Sequence, residues 1–293
     1  MSYLDIINYR RDWTYKSDFQ NDLLSLFTSR FEYDQRDTLD TVINANYVIP
    51  QQLPYYLNNN MELIKQIIFI EGVDFLYRSI NFLQAIQFNI EEGFFTASQS
   101  IAYQSSFYAA RAILALSGIY CSSINNRNFL IETRYLEENQ TSPSAICFTG
   151  TNKNHIVTWN LLQKLIQNTI IDDKIIDTKY FNIIKNINYP RYSEKRHDIH
   201  YYNLYQFTDL FSKISITPTG LLSLNSTNIE SDKCYYFLVA TLLIVFACNL
   251  FHSIEEYSTG LTDLDEKLFS LLDRNKNKVL NVIDFYSLIK INI

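Results

Sequence analysis

Glycine and proline are scarce in this chain, numbering six and five among 293 residues. A β-sandwich or barrel of this size needs many tight turns, so the shortage argues against an all-β protein and for long helices. A basic excess is missing too. Twenty-five Lys and Arg face 31 Asp and Glu, for a formal net charge of −6, which argues against broad coating of nucleic acid through many phosphate contacts. The four cysteines, at positions 121, 147, 234 and 248, form no CxxC pair; they read as reduced, buried thiols of a cytoplasmic protein rather than a disulfide framework or a zinc site. Gly-rich phosphate loops and the familiar serine or cysteine hydrolase patterns are absent, and the N-terminus has no basic start followed by an apolar run.

One apolar run needs a decision. Residues 234–251 carry Tyr235, Tyr236, Thr241 and Asn249 as their polar groups, and the run is close to the length that crosses a bilayer. It lacks a flanking polybasic segment, so it reads as a central helix buried on all sides, and no membrane partner is expected.

What the chain has in quantity is apolar and aromatic bulk: 47% hydrophobic residues, with 22 Tyr and 20 Phe. That is enough for a sizeable core. Residues 1–60 read as an N-terminal extension, with a short helix around Asp22 to Arg30 and breaks at Pro50 and Pro54. From Met61 the apolar spacing turns helical through Leu63, Ile64, Ile67, Ile68, Phe75, Leu76, Ile80, Leu83 and Phe88. Gly93 interrupts it. A helix rich in small residues follows from Ala97 to Tyr120, where Ala102, Ser106, Ala109 and Ala110 allow close approach of a neighbour. Arg111 is the lone charge in that run and reads as satisfied inside the bundle or at its rim. Ser122 to Gly150 reads as loop. Helical spacing resumes at His155, with Ile156, Trp159, Leu162 and Ile166 on one face, and again from Thr178 to Ile187, after which Pro190 closes that element or starts another. Residues 214–232 read as a surface excursion before the apolar helix, which is expected to run to about Tyr257. The fold class expected is all-α.

The stretch from Asn188 to Asn203 concentrates the chemistry. It holds Arg191, Lys195, Arg196, His197 and His200, and so half of the chain's four histidines. An imidazole can act as a base near neutral pH and a guanidinium can hold a phosphate through two oxygens, so this is the candidate site for phosphate or RNA chemistry. Lys195 would help hold the strand. Asp198 or Glu194 could fix a histidine tautomer, although a surface ion pair is the plainer role. A solvated basic helix face is the alternative for the whole stretch.

The string Ala102-Tyr-Gln-Ser-Ser-Phe-Tyr-Ala-Ala-Arg-Ala-Ile-Leu-Ala-Leu-Ser-Gly118 resembles the second helix of HEPN domains, usually Ala-Tyr-Tyr-x-x-Phe-His-Ala-Ala-Arg-Ala-Leu-Leu. His155-Ile156-Val157 resembles the start of their third helix, and the Arg- and His-containing stretch falls where the family's basic motif sits. The resemblance covers roughly residues 61–257. It implies a HEPN-like antiparallel helical bundle with N- and C-terminal helical extensions, and a homodimer. It also implies a metal-independent endoribonuclease in a toxin or antiphage defence role, with RNA as substrate and a cognate antitoxin or nucleotidyltransferase as partner. The alternative it carries is an inert nucleotide- or RNA-binding or protein-interaction module. In active members an Arg and a His with four to six residues between them meet at the dimer cleft. Arg191 and His197 fit that spacing, but Tyr192 stands where the family favours Asn, Asp or His. Arg196 has the favoured neighbour in His197, while His200 lies one residue too near; on a helix Arg196 and His200 would share a face. Tyr202 resembles a trailing tyrosine that partner nucleotidyltransferases modify in one toxin branch. Both Arg/His pairs stay open.

Residues 258–293 form the last expected unit, a helix-loop-helix resembling a degenerate EF-hand. Asp273, Asn275, Asn277 and Asp284 stand at oxygen-ligand positions. Lys278 replaces the turn glycine and Asp284 the longer glutamate, so calcium binding is the lesser reading and no cofactor is expected.

Overall fold

The computed structural model describes residues 55–56, 61–91, 94–124, 127–132, 144–148, 154–168, 178–194 and 235–255. These are mostly helical. In chain order they form β1 (Tyr55–Tyr56), α1 (Met61–Glu91), α2 (Phe95–Leu116), β2 (Ile119–Ile124), β3 (Arg127–Glu132), β4 (Ser144–Phe148), α3 (Asn154–Asn168), α4 (Thr178–Asn186) and α5 (Tyr235–Glu255). A helical turn at 189–194 lies between α4 and α5.

The centre is the antiparallel pair α1 and α2, which meet along a seam of small residues. Ser79 and Ser105 each donate a hydroxyl to the other's backbone carbonyl at 2.8 Å. Seven residues on along α1, and seven back along α2, Ser98 donates to the carbonyl of Ile86 at 3.3 Å. A seven-residue spacing keeps the same edge of each helix on its neighbour. Seven residues the other way along α1, at Gly72, the helices also approach closely: a Cβ there would lie 3.1 Å from Ala115 Cβ and 3.4 Å from the Leu116 nitrogen. α2 then stops at Gly118, whose φ of 79° suits glycine, and whose amide caps the Ala115 carbonyl at 2.8 Å.

The described residues between 122 and 148 depart from the loop expected there. β1 to β4 make an antiparallel sheet in the order β1-β4-β3-β2. β2 and β3 pair in register from Ile119 with Glu132 to Ile124 with Arg127. Consecutive Leu130 and Ile131, which face opposite sides of a strand, are both buried, so at this point both sides of the sheet are covered. Tyr55 and Tyr56 pair with Ala145 and Ser144 at the β4 edge, which stitches part of the N-terminal extension to the sheet.

α5 is the apolar run, and every side chain from Tyr236 to Phe251 is buried. It packs mainly on α2, and touches α1 and α4. Phe251 stacks on Phe69 of α1 with centroids 6.0 Å apart, and Phe246 meets Phe181 of α4 at 5.8 Å. Among the described residues no helix is long and apolar enough to cross a membrane. Cys121 and Cys248 are buried thiols outside any disulfide.

Candidate functional site

The basic stretch begins with a capped helical turn. Asn188 places its side-chain oxygen 3.1 Å from the Arg191 amide, an N-cap bond to the third residue of the turn. Pro190 sits in the first turn, where a missing N–H costs nothing, and the Tyr192 amide reaches back to the Asn188 carbonyl at 2.9 Å. Of the two roles left open for Pro190, it is therefore the start of a new element.

Two tyrosines fasten this turn to the core. Tyr192 is 0% exposed. Its hydroxyl donates to Ser106 Oγ of α2 at 2.8 Å, and Ser106 in turn donates to the Ala102 carbonyl. Its ring stacks on Tyr103 at 5.4 Å, meets Trp159 of α3 edge-on at 5.1 Å and touches Tyr236 of α5 at 5.0 Å. Tyr189 lies flat on Trp159, with centroids 5.7 Å apart and planes 6° from parallel. Its hydroxyl reaches the Ile184 carbonyl, and its amide donates to Gln163 Oε1. Trp159 Nε1 is satisfied by the Tyr103 hydroxyl at 2.9 Å. Rings from α2, α3, α5 and the turn thus form one buried cluster in which Trp159 Nε1 and the Tyr189 and Tyr192 hydroxyls are bonded, the condition under which buried Tyr and Trp stabilise.

The same geometry orients the charges. Tyr189, Tyr192 and Ser193 face inward, whereas Arg191 and Glu194 are exposed. Arg191 is therefore presented on the outer side of the turn. Comparison of the chain with protein-family models, with curated proteins and with solved structures finds no match. Lys195, Arg196, His197, Asp198, His200 and Tyr202 lie outside the described residues, as do the calcium candidates Asp273, Asn275, Asn277 and Asp284. Among the described residues no group of His, Cys, Asp and Glu could hold a metal ion.

Sequence reasoning passed over Tyr189 and Tyr192 as anchors, although the Asn-Tyr-Pro-Arg-Tyr string contained the signal: an N-cap residue, a proline in the first turn, and aromatics three apart. Arg111 was anticipated as satisfied. Its guanidinium carbon lies over the Phe75 ring, 3.9 Å from the centroid, and within about 6 Å of the Phe107 and Tyr120 centroids as well, and it donates to the Cys121 carbonyl at 3.3 Å.

Proposed function

We propose that the chain is a metal-independent endoribonuclease of the HEPN type, working as a homodimer in a toxin or antiphage defence role. The observation that carries the reading is the mounting of the basic stretch: a capped turn bonded through Tyr192 to the alanine-rich helix, with Arg191 turned outward. That helix, α2, is the one whose sequence resembles the family, and the stretch that follows Arg191 supplies every group the chemistry requires.

In this reaction the RNA 2′-hydroxyl attacks the adjacent phosphorus. A histidine takes the hydroxyl proton, an arginine holds the phosphate oxygens as negative charge builds, and a second proton goes to the departing 5′-oxygen. The products are a 2′,3′-cyclic phosphate and a 5′-hydroxyl. Burial of Tyr192 bears on the choice of pair. Where the family favours a polar residue after its arginine, Arg191 is followed by a side chain locked in the core, whereas Arg196 is followed by His197. The reading therefore favours Arg196 with His197 and His200 as the reacting groups, and Arg191, Lys195 and Tyr202 as strand contacts.

Full-length protein incubated with total RNA in chelator is the test. Cleavage leaving cyclic-phosphate ends, abolished in the His197→Ala, His200→Ala double variant, is the expected result. If wild type and double variant leave RNA equally intact, catalysis at this stretch is excluded. The burial of Tyr192 also favours a second reading, an inert RNA-binding module, which predicts retention of RNA on the protein with no turnover.

A further inference from the structure

The turn that carries Arg191 is held from two directions. Tyr192 ties it by its side chain to α2 and α5, whereas its first residue is seated on α3. Trp159 and Gln163 stand four residues apart on α3, so they share one face of that helix. The Tyr189 ring lies on Trp159, and the Tyr189 amide donates to Gln163 Oε1 at 3.0 Å. A half-buried side chain of one helix thus bonds the backbone of another element.

The first amides of a helical turn have no partner within it. Here Gln163 takes the Tyr189 amide, the Asn188 side chain takes the Arg191 amide, and Pro190 has none. The start of this turn, a position where backbone amides can meet an anion, is therefore closed by the protein's own acceptors. A phosphate here has to be met by a side chain, and Arg191 is exposed. At 3.6 residues per turn Arg191 stands about 200° round from Tyr189 and about 100° from Tyr192. Whatever fixes the Tyr189 backbone therefore sets the direction of Arg191. The Gln163 bond acts on that backbone itself, two residues before the arginine.

We propose that Gln163 is a positioning residue: by holding the Tyr189 amide it sets the direction in which the turn delivers Arg191 to an RNA phosphate. The proposal rests on the reading of this stretch as an RNA site with Arg191 as a strand contact. Gln163 itself touches no RNA, and its whole effect passes through Arg191.

Hydrogen exchange at the Tyr189 amide and binding of a 2′-O-methyl RNA oligonucleotide, which lacks the attacking hydroxyl, test it in the full chain. Gln163→Leu removes the acceptor and should speed Tyr189 exchange at least tenfold; Gln163→Glu keeps an acceptor oxygen at the same reach and should not. Fluorescence anisotropy over a range of salt should show Arg191→Ala weakening binding severalfold. The slope of log affinity against log salt should become shallower by about 0.7, the loss of one phosphate contact on a single strand. Gln163→Leu is expected to reproduce both changes, and to add nothing in the Arg191→Ala protein. A folded Gln163→Leu protein with wild-type exchange at Tyr189, or one whose loss of affinity persists with Arg191 gone, overturns the proposal. So does absence of oligonucleotide binding by wild type. If circular dichroism shows Gln163→Leu to be unfolded, Gln163→Asn, which draws the acceptor back by one methylene, decides by the same two measures. RNA cleavage together with a Gln163→Leu protein that binds as wild type refutes the positioning role and leaves the ribonuclease reading standing. The expected losses of binding in a chain that cleaves no RNA support the positioning role and refute the ribonuclease.

Discussion

Replacing Tyr192 by asparagine would place there a residue type that HEPN domains favour after their motif arginine, and packing predicts that it destroys the fold. Tyr192 is fully buried among Tyr103, Trp159 and Tyr236, with its hydroxyl on Ser106. Removing a large buried aromatic costs about 3 to 5 kcal/mol through lost burial and cavity formation. An asparagine amide left without partners in that pocket adds about 1 to 3 kcal/mol. The total rivals the stability of a typical domain, about 5 to 15 kcal/mol. Tyr192→Phe keeps the ring and loses one hydrogen bond, at about 1 kcal/mol. Urea unfolding followed by circular dichroism reads both. Tyr192→Asn is expected to be unfolded or nearly so in buffer, and Tyr192→Phe to retain its fold. A stable Tyr192→Asn protein with raised ribonuclease activity would refute the anchor assignment and return Arg191 with His197 as the reacting pair.

Three further outcomes follow from packing. Gly72→Ala should destabilise by about 1 to 2 kcal/mol despite alanine's better helix propensity, because Ala115 Cβ cannot rotate away; Ala115→Gly in the same chain should recover part of that loss in urea titrations. Ser79→Ala and Ser105→Ala should each cost about 1 kcal/mol. Their hydroxyl oxygens lie 3.4 Å apart, so a double-mutant cycle should show non-additivity, and strict additivity would argue against the seam. With Cys147 and Cys234 replaced by serine, the buried Cys121 and Cys248 should resist a thiol reagent in buffer and react fully in denaturant; rapid native labelling would contradict their burial.

The long helices were legible because their apolar residues recur at three and four positions over many turns, so α1, α2 and α3 declare themselves without tertiary information. α5 could be read as buried for a different reason: it is apolar all round and lacks the basic flank of a membrane segment. The strands were not legible. β2, β3 and β4 are five or six residues each, and burial of consecutive Leu130 and Ile131 on opposite faces removes the alternation that marks a half-exposed strand. The concentration of Arg, Lys and His pointed to Asn188–Asn203 as the candidate chemical stretch. Its attachment was hidden, because a tyrosine's role as anchor depends on partners such as Ser106, 86 residues away, which no local pattern reveals.

The small-residue helix α2 accounts for how one element serves several neighbours. With 3.6 residues per turn, Ser98, Ser105 and Ala112 fall on the edge against α1, while Tyr103, Ser106 and Ala110 fall on the edge towards the aromatic cluster. Ala102, Ala109 and Ile113 lie between these two edges, all buried, where a helix backbone can come close. The remaining strip, Ser100, Gln104, Phe107, Tyr108 and Arg111, is half-buried. An alanine- and serine-rich pattern is thus the requirement for a helix packed on three sides, whatever its function. The single charge within this helix, Arg111, falls on the fourth side, over the Phe75 ring of α1. Arg111 is matched there to the Phe75, Phe107 and Tyr120 rings and to the Cys121 carbonyl, so cation–π contact and one hydrogen bond hold the charge at the bundle's rim.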